Sequence, residues 1–185
     1  MAEVLAFDVN ETLLDLAALD EPFARALGDA AWRPVWFQTM LQVAFTGALT
    51  GGYVDFSTAQ RAALEMVAAR AGATPSDDEA EAILGGMRRL PAHPDVAPAL
   101  ARLREAGVRR LALTNSVLDA ARDQLTHAGL IEFFDGVVSA DEVGRLKPAP
   151  EPYRLAAARA GVPVEPLRRV AAHAWDCSGA LAAGA

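Results

Sequence analysis

The sequence predicts an α/β fold, a parallel-sheet core carrying a helical insertion, and three observations lead there. The chain opens on a short apolar run ending in an aspartate, Val4 to Asp8. From Leu13 to about Leu90 the pattern is helical, with no convincing strand. After Pro91, short apolar runs alternate with helical segments that end in glycine, which is how a parallel sheet with helices on its faces is written.

Each element has its own signal. Val4-Leu5-Ala6-Phe7 is apolar throughout, as a strand buried on both faces must be. Ala30 to Phe45 carries Trp32, Val35, Trp36, Met40 and Val43 at helical spacing, and Thr58 to Ala71 carries Ala62, Leu64, Met66 and Val67. Gly51-Gly52 and Thr74-Pro75-Ser76-Asp77 are breaks, the second also suited to starting a helix. Leu90-Pro91-Ala92-His93-Pro94 closes the insertion. Val96 to Ala106 then reads as a helix ending at Gly107, and Arg110 to Thr114 as a strand. Leu118 to Ala128 reads as a helix ending at Gly129, and Gly136 to Ser139 as a strand. Pro152 to Ala160 reads as a helix ending at Gly161, and Val170 to His173 as the last strand. Residues 1–12 and 91–185 therefore form a Rossmann-like α/β core, and residues 13–90 the insertion.

Composition bounds the function. At 52% hydrophobic and 22% charged, the 185-residue chain is globular rather than disordered. A formal net charge of −7 gives a nucleic-acid partner no electrostatic support and leaves any anion site to a few local cations. The single cysteine, Cys177, excludes an internal disulfide and fits a reducing compartment. No basic leader precedes the first strand and no apolar run reaches membrane-spanning length, so a cytoplasmic protein without a membrane partner is expected.

Open parallel sheets bind ligands outside the carboxyl ends of their strands. The polar residues there are Asp8 and Asn10, Thr114 and Asn115, and Asp176 beyond the last strand. Asp8 is either a covalent nucleophile or a cap on the following turn. Thr114-Asn115-Ser116 either holds an anionic group or caps the next helix. Lys147, between Gly144 and Pro150, is either a solvated charge or, held by its flanking prolines, the partner of an active-site carboxylate.

Taken in order, Asp8, Thr114, Lys147 and Asp176 resemble the four motifs of the haloacid dehalogenase superfamily, and the resemblance covers essentially the whole chain. The insertion sits where that family places its cap domain. Phosphatases of the superfamily carry a second Asp two residues after the nucleophile, as general acid and base. Here that position is Asn10, which exchanges no proton at neutral pH. Its loss also weakens a Mg²⁺ site. A halide leaves without a proton, so Asn10 favours carbon–halogen cleavage, with neither metal nor other cofactor. Ala172-His173-Ala174-Trp175-Asp176 is similar to the Asn-Ala-Trp-Asp segment of type II enzymes, which act on (S)-2-haloalkanoic acids. Trp32-Arg33 is similar to the pair whose arginine receives the halide, although a surface arginine on an amphipathic helix has the same local sequence. Lys147-Pro148 followed by Tyr153 also fits the family spacing.

The resemblance implies that Asp8 attacks C2 of a small halogenated acid and forms an ester. Lys147 and Thr12 would hold Asp8 ionised, while Thr114, Asn115 and Ser116 hold the substrate carboxylate. Asn10 and Trp175 belong to the same substrate or halide wall, and Trp36, Phe37 and Met40 are candidates for an apolar lining. Water activated by His173 or Asp176 would then open the ester. Relatives commonly form homodimers, although no interface is legible here. The rival readings are a Mg²⁺-dependent phosphatase or phosphonatase and a non-catalytic member.

Four positions depart from the family pattern: Asn10 replaces an aromatic residue, Glu11 a glycine, Ala171 a serine and His173 an asparagine. His173 either activates water, with its second nitrogen oriented by Asp176, Asp20 or Glu21, or is a buried histidine satisfied by backbone. His93 and His127 read as structural. The family continues past the segment that ends here at Ala185, so this is expected to be a shortened member with its last strand at an exposed sheet edge.

Overall fold

The computed structural model describes residues 4–185. Its strands are β1 (Val4–Phe7), β2 (Arg109–Thr114), β3 (Gly136–Ser139) and β4 (Leu167–Val170). All pair in parallel, in the order β3-β2-β1-β4. Phe7 lies opposite Ala112 of β2 and Val170 of β4, so Asp8 emerges between the carboxyl ends of two neighbours. This register makes the carboxyl end of the sheet a binding position.

Alternation along β2 divides the apolar material into two layers. Leu111 and Leu113 join Val4, Ala6 and Tyr153 on one face, with α7 (Pro150–Arg159) and α8 (Ala174–Ala183) packed there. Ala112 joins the larger cluster on the other face, which includes Leu100 of α5 (Val96–Glu105) and Leu125 of α6 (Leu118–His127). Both layers exclude water from the sheet, so its interior strands need no polar face.

Between β1 and α5 the described elements are all helical: α1 (Asp20–Leu27), α2 (Trp32–Thr50), α3 (Phe56–Ala71) and α4 (Asp77–Gly86), with 3-10 turns at Leu16–Leu19 and Met87–Arg89. Asp55 caps α3 by accepting from the Ser57 and Thr58 amides, and Ser76 with Glu79 forms a reciprocal cap on α4. Trp36 of α2 is fully buried, and its Nε1–H donates to the Gln60 carbonyl of α3 at 3.0 Å. Phe23 of α1 packs on the same indole with ring centroids 5.3 Å apart. Burial of a side chain such as Phe23 contributes roughly 1.5–3 kcal/mol. Among the described residues no helix is long and apolar enough to cross a membrane.

Two features differ from the sequence reading. The last strand is Leu167–Val170 rather than Val170–His173, because Arg168 and Arg169 disguise a strand whose second arginine is buried against carboxylates. Residues 171–173 instead form the approach to α8, a helix that the reading, like α1, did not include. β4 is an edge strand among the described residues, and Val170 is 36% exposed.

Candidate active site

The turn after β1 aims the first carboxylate. The Leu13 and Leu14 amides both donate to the Val9 carbonyl, at 2.9 and 3.1 Å, folding the chain back over the strand end. Within this turn Glu11 takes φ 62, the left-handed region that a non-glycine residue enters only at a cost of about 1–2 kcal/mol. The turn brings Thr12 over Asp8, where Oγ1–H donates to Asp8 Oδ2 at 3.0 Å. The same hydroxyl accepts from the Ala172 amide at 3.0 Å, which fastens the turn to the segment after β4.

Lys147 reaches Asp8 from the loop before α7. Its backbone is held by Asn115: the Lys147 amide donates to Oδ1 at 2.8 Å, and Nδ2 donates to the Lys147 carbonyl at 3.2 Å. Lys147 Nζ, 1% exposed, donates to Asp8 Oδ1 at 2.8 Å, Asp176 Oδ2 at 2.7 Å and the Leu113 carbonyl at 3.0 Å. The three donors of one ammonium thus have three acceptors.

Arg169 of β4 supplies a second cation that sequence reasoning missed. Its guanidinium pairs with both oxygens of Asp176, donates to the Ala6 and Leu113 carbonyls at 3.0 Å, and stands 3.5 Å from Asp8 Oδ1. Two buried carboxylates therefore face two buried cations, and no charge is left uncompensated. Burial opposes ionisation of Asp8, but Lys147 foremost, then His173 and Arg169, hold its carboxyl well below the usual range. Asp176 is also depressed, burial being outweighed by Lys147 and Arg169. Tyr153 Oη–H donates to Asp176 Oδ1 at 2.8 Å. Gly179 permits this contact, since a Cβ there would lie 2.6 Å from both Tyr153 Oη and Pro148 Cβ.

His173 stands on the open side of Asp8, its ring stacked between Phe37 and Trp175 with centroids 5.7 and 5.4 Å away. Nε2 lies 2.7 Å from Glu11 Oε2, and Nδ1 lies 3.7 Å from Asp8 Oδ2 with no hydrogen-bond partner among the described residues. The carboxylates of Asp8 and then Glu11 push the imidazole up to about 9, so the free protein carries an imidazolium at neutral pH. The acidic neighbour is Glu11, not Asp176, Asp20 or Glu21, because the left-handed turn carries its side chain over the ring.

A small cavity of about 10 Å³ opens above these groups, room for about one water molecule. Asp8, Asn10, Thr114, Asn115, Lys147, His173 and Trp175 line its core side, and Phe37, Leu41 and Phe56 close it from the insertion. The Trp175 Nε1–H is buried without an acceptor among the described residues, a donor available to a ligand. Trp36 and Met40, expected in this wall, lie instead in the apolar interior of the insertion and are absent from the lining.

Other expected residues sit one step back. Asp176 is fully buried and anchors Lys147, which leaves no oxygen free for a water. Asn10 donates to Ser116 Oγ at 3.2 Å and accepts from Gln124 Nε2 at 3.0 Å. Ser116 lines a separate cavity of about 190 Å³ beside Gln124, Arg61 and Arg88. Arg33 is engaged by Asp20 at 2.5 Å and lies 4.0 Å from Glu11 Oε1, outside the lining of the Asp8 cavity. A clue to this was present in the sequence: Glu11 and His173 are both departures from the family pattern, and they meet.

Comparison with known proteins agrees with this geometry. The sequence model of the haloacid dehalogenase-like hydrolases matches residues 2–184. (S)-2-Haloacid dehalogenase 1 of Pseudomonas sp. (strain CBS-3) is 31% identical over 180 residues, which is 96% of this chain and 79% of that protein. The structure of L-2-haloacid dehalogenase from Xanthobacter autotrophicus superposes with a TM-score of 0.92 at 31% identity, covering 100% of this chain and 75% of the other. The same enzyme with chloropropionic acid covalently bound gives a TM-score of 0.92 at 30% identity, again over 100% and 75%.

Proposed function

The chain belongs to the haloacid dehalogenase-like hydrolases, and from that premise we infer that it hydrolyses short (S)-2-haloalkanoic acids to 2-hydroxyalkanoic acids through an ester on Asp8. The observation that carries this reading is Asp8 itself, held ionised by Lys147 at 2.8 Å and facing an apolar-roofed cavity at the carboxyl end of the sheet.

In the first step an Asp8 oxygen attacks C2 in line, the carbon–halogen bond breaks, and the halide leaves with the electron pair. Lys147 and Thr12 fix the carboxylate, so little reorientation is needed to reach the attacking pose. The Thr114 hydroxyl and the free Trp175 Nε1–H receive the substrate carboxylate, beside the His173 imidazolium. Asn10 and Asn115 shape the site through their own hydrogen bonds. The halide departs toward Arg33, which loosens its pair with Asp20 to receive it. A haloacid is larger than the cavity, so entry requires the insertion to lift from the core, and closure then excludes water from the ionised groups.

In the second step water attacks Cγ of the Asp8 ester. Once Asp8 is esterified, His173 loses its Nδ1 proton to solvent; the neutral ring then takes the water proton and returns it to the departing alkoxide, while Lys147 steadies the negative charge on the tetrahedral oxygen. The carboxyl re-forms with one oxygen from water and passes its proton to His173, restoring the carboxylate and the imidazolium, and C2 is inverted once.

Chloride release from (S)-2-chloropropionate in the presence of EDTA tests the reading. Release by the unaltered chain that vanishes in Asp8→Asn is the expected result. No release, with Mg²⁺-dependent hydrolysis of p-nitrophenyl phosphate instead, would overturn it.

A further inference from the structure

We propose that Glu11 is a positioning residue that clamps His173 so that its imidazole is a cation while Asp8 is free and a proton acceptor once Asp8 is esterified. The inference rests on the ester reading above. It begins from the backbone: Glu11 is the one non-glycine residue with positive φ among the described residues, at 62°. That strained position places Oε2 2.7 Å from His173 Nε2, across a separation of 162 residues. With Nε2–H directed to Glu11 and the ring stacked between Phe37 and Trp175, Nδ1 is fixed toward Asp8 Oδ2 at 3.7 Å. That gap is too long for a direct hydrogen bond.

The charges around the ring come from several elements. Asp8 and Glu11 lie on the turn after β1 and favour the imidazolium. Lys147 and Arg169, both against Asp8, and Arg33, beside Glu11, are cations that oppose it. While Asp8 is ionised, the two carboxylates dominate and the ring is protonated. Esterification removes the Asp8 charge, one of the two supports, while Lys147, Arg169 and Arg33 remain. The Nδ1 proton is then released to solvent, and its lone pair faces the ester. Water bound there gives its proton to Nδ1 as its oxygen bonds to Cγ. Collapse breaks the Cγ–O bond to the hydroxyacid, whose alkoxide takes that proton back, and the re-formed Asp8 carboxyl gives its own proton to Nδ1, restoring the carboxylate and the imidazolium. Glu11 keeps the other proton on Nε2 throughout, so one tautomer serves the whole step. The nucleophile's own chemistry thereby times the base.

The titration of the His173 ring, followed by NMR, provides a readout independent of turnover. Asp8→Asn stands in for the uncharged ester, and Glu11→Gln removes the carboxylate while keeping its shape. The unaltered protein is expected to titrate at about 9. Each variant should titrate lower by at least about one unit. In single-turnover experiments with (S)-2-chloropropionate, Glu11→Gln should keep the burst of halide but slow ester hydrolysis by about tenfold or more. Glu11→Asp should recover part of that rate. If Glu11→Gln folds poorly, Glu11→Gly relieves the backbone and should give the same loss. An unchanged His173 titration in Asp8→Asn, or an unchanged hydrolysis rate in Glu11→Gln, overturns the proposal while leaving the ester reading intact. Absence of any halide burst in the unaltered chain overturns both.

Discussion

Replacing Arg169 with methionine would separate the stability of the buried charge cluster from its chemistry. The guanidinium is 3% exposed and pairs with both oxygens of Asp176, while also donating to the Ala6 and Leu113 carbonyls. Methionine fills much of the same volume but supplies no donor. Leu113 would retain Lys147, and Asp176 would retain Lys147 and Tyr153, but two carboxylates would then share one cation. Breaking a buried pair in this way costs about 3–5 kcal/mol. For a domain of this size that corresponds to a fall in Tm of roughly 6–20 °C. Thermal and urea unfolding should show the loss at pH 7, shrinking toward acid as Asp176 takes up a proton. Halide release should persist, because Lys147 is the stronger influence on Asp8. A Tm within about 2 °C of the unaltered protein would refute the reasoning. So would complete loss of the halide burst in a folded Arg169→Met protein.

Other consequences are as direct. Gly179→Ala would drive a Cβ to 2.6 Å from Pro148 Cβ and 2.7 Å from its carbonyl, overpacking α8 against the Lys147 loop. Its expected cost is about 1–3 kcal/mol, together with lower activity, read by urea unfolding and chloride release. Tyr153→Phe removes one donor to Asp176 and should cost about 1 kcal/mol in the same unfolding assay, with the halide burst retained. The pH dependence of stability has two limbs. The His173 contribution is complete below its unfolded value near 6.5 and is lost as pH rises through about 9. The contributions of Asp8 and Asp176, whose folded values are depressed, are present above the ordinary carboxylate range and are lost as pH falls through those values. Urea midpoints across this range should therefore fall on the alkaline side in the unaltered protein, and the fall should move to lower pH in Glu11→Gln.

Legibility in the sequence followed the range of the interactions. Val4 to Phe7 declares a buried strand through apolar continuity, the break at Gly51-Gly52 lies between two helices, and Thr74 to Asp77 leads into the start of a third. β4 is hidden in the sequence because Arg168 and Arg169 look solvent-facing until their partners are known. α8 is silent in the sequence because Ala174 to Ala183 is largely apolar and has no helical stripe.

The sequence by itself determined the alternation of strands and helices, the strand-end position of Asp8, and a motif order that covers the chain. These are local properties or properties of order, carried by neighbours along the backbone. Only the tertiary structure decided which charges meet: Lys147 with Asp8 across 139 residues, Arg169 with Asp176 through the path of β4, and Glu11 with His173 across 162. Electrostatic pairing depends on ångström distances that sequence separation does not encode. For that reason Asp8 was recognisable from the sequence, while the charge state of the histidine beside it had to come from the fold.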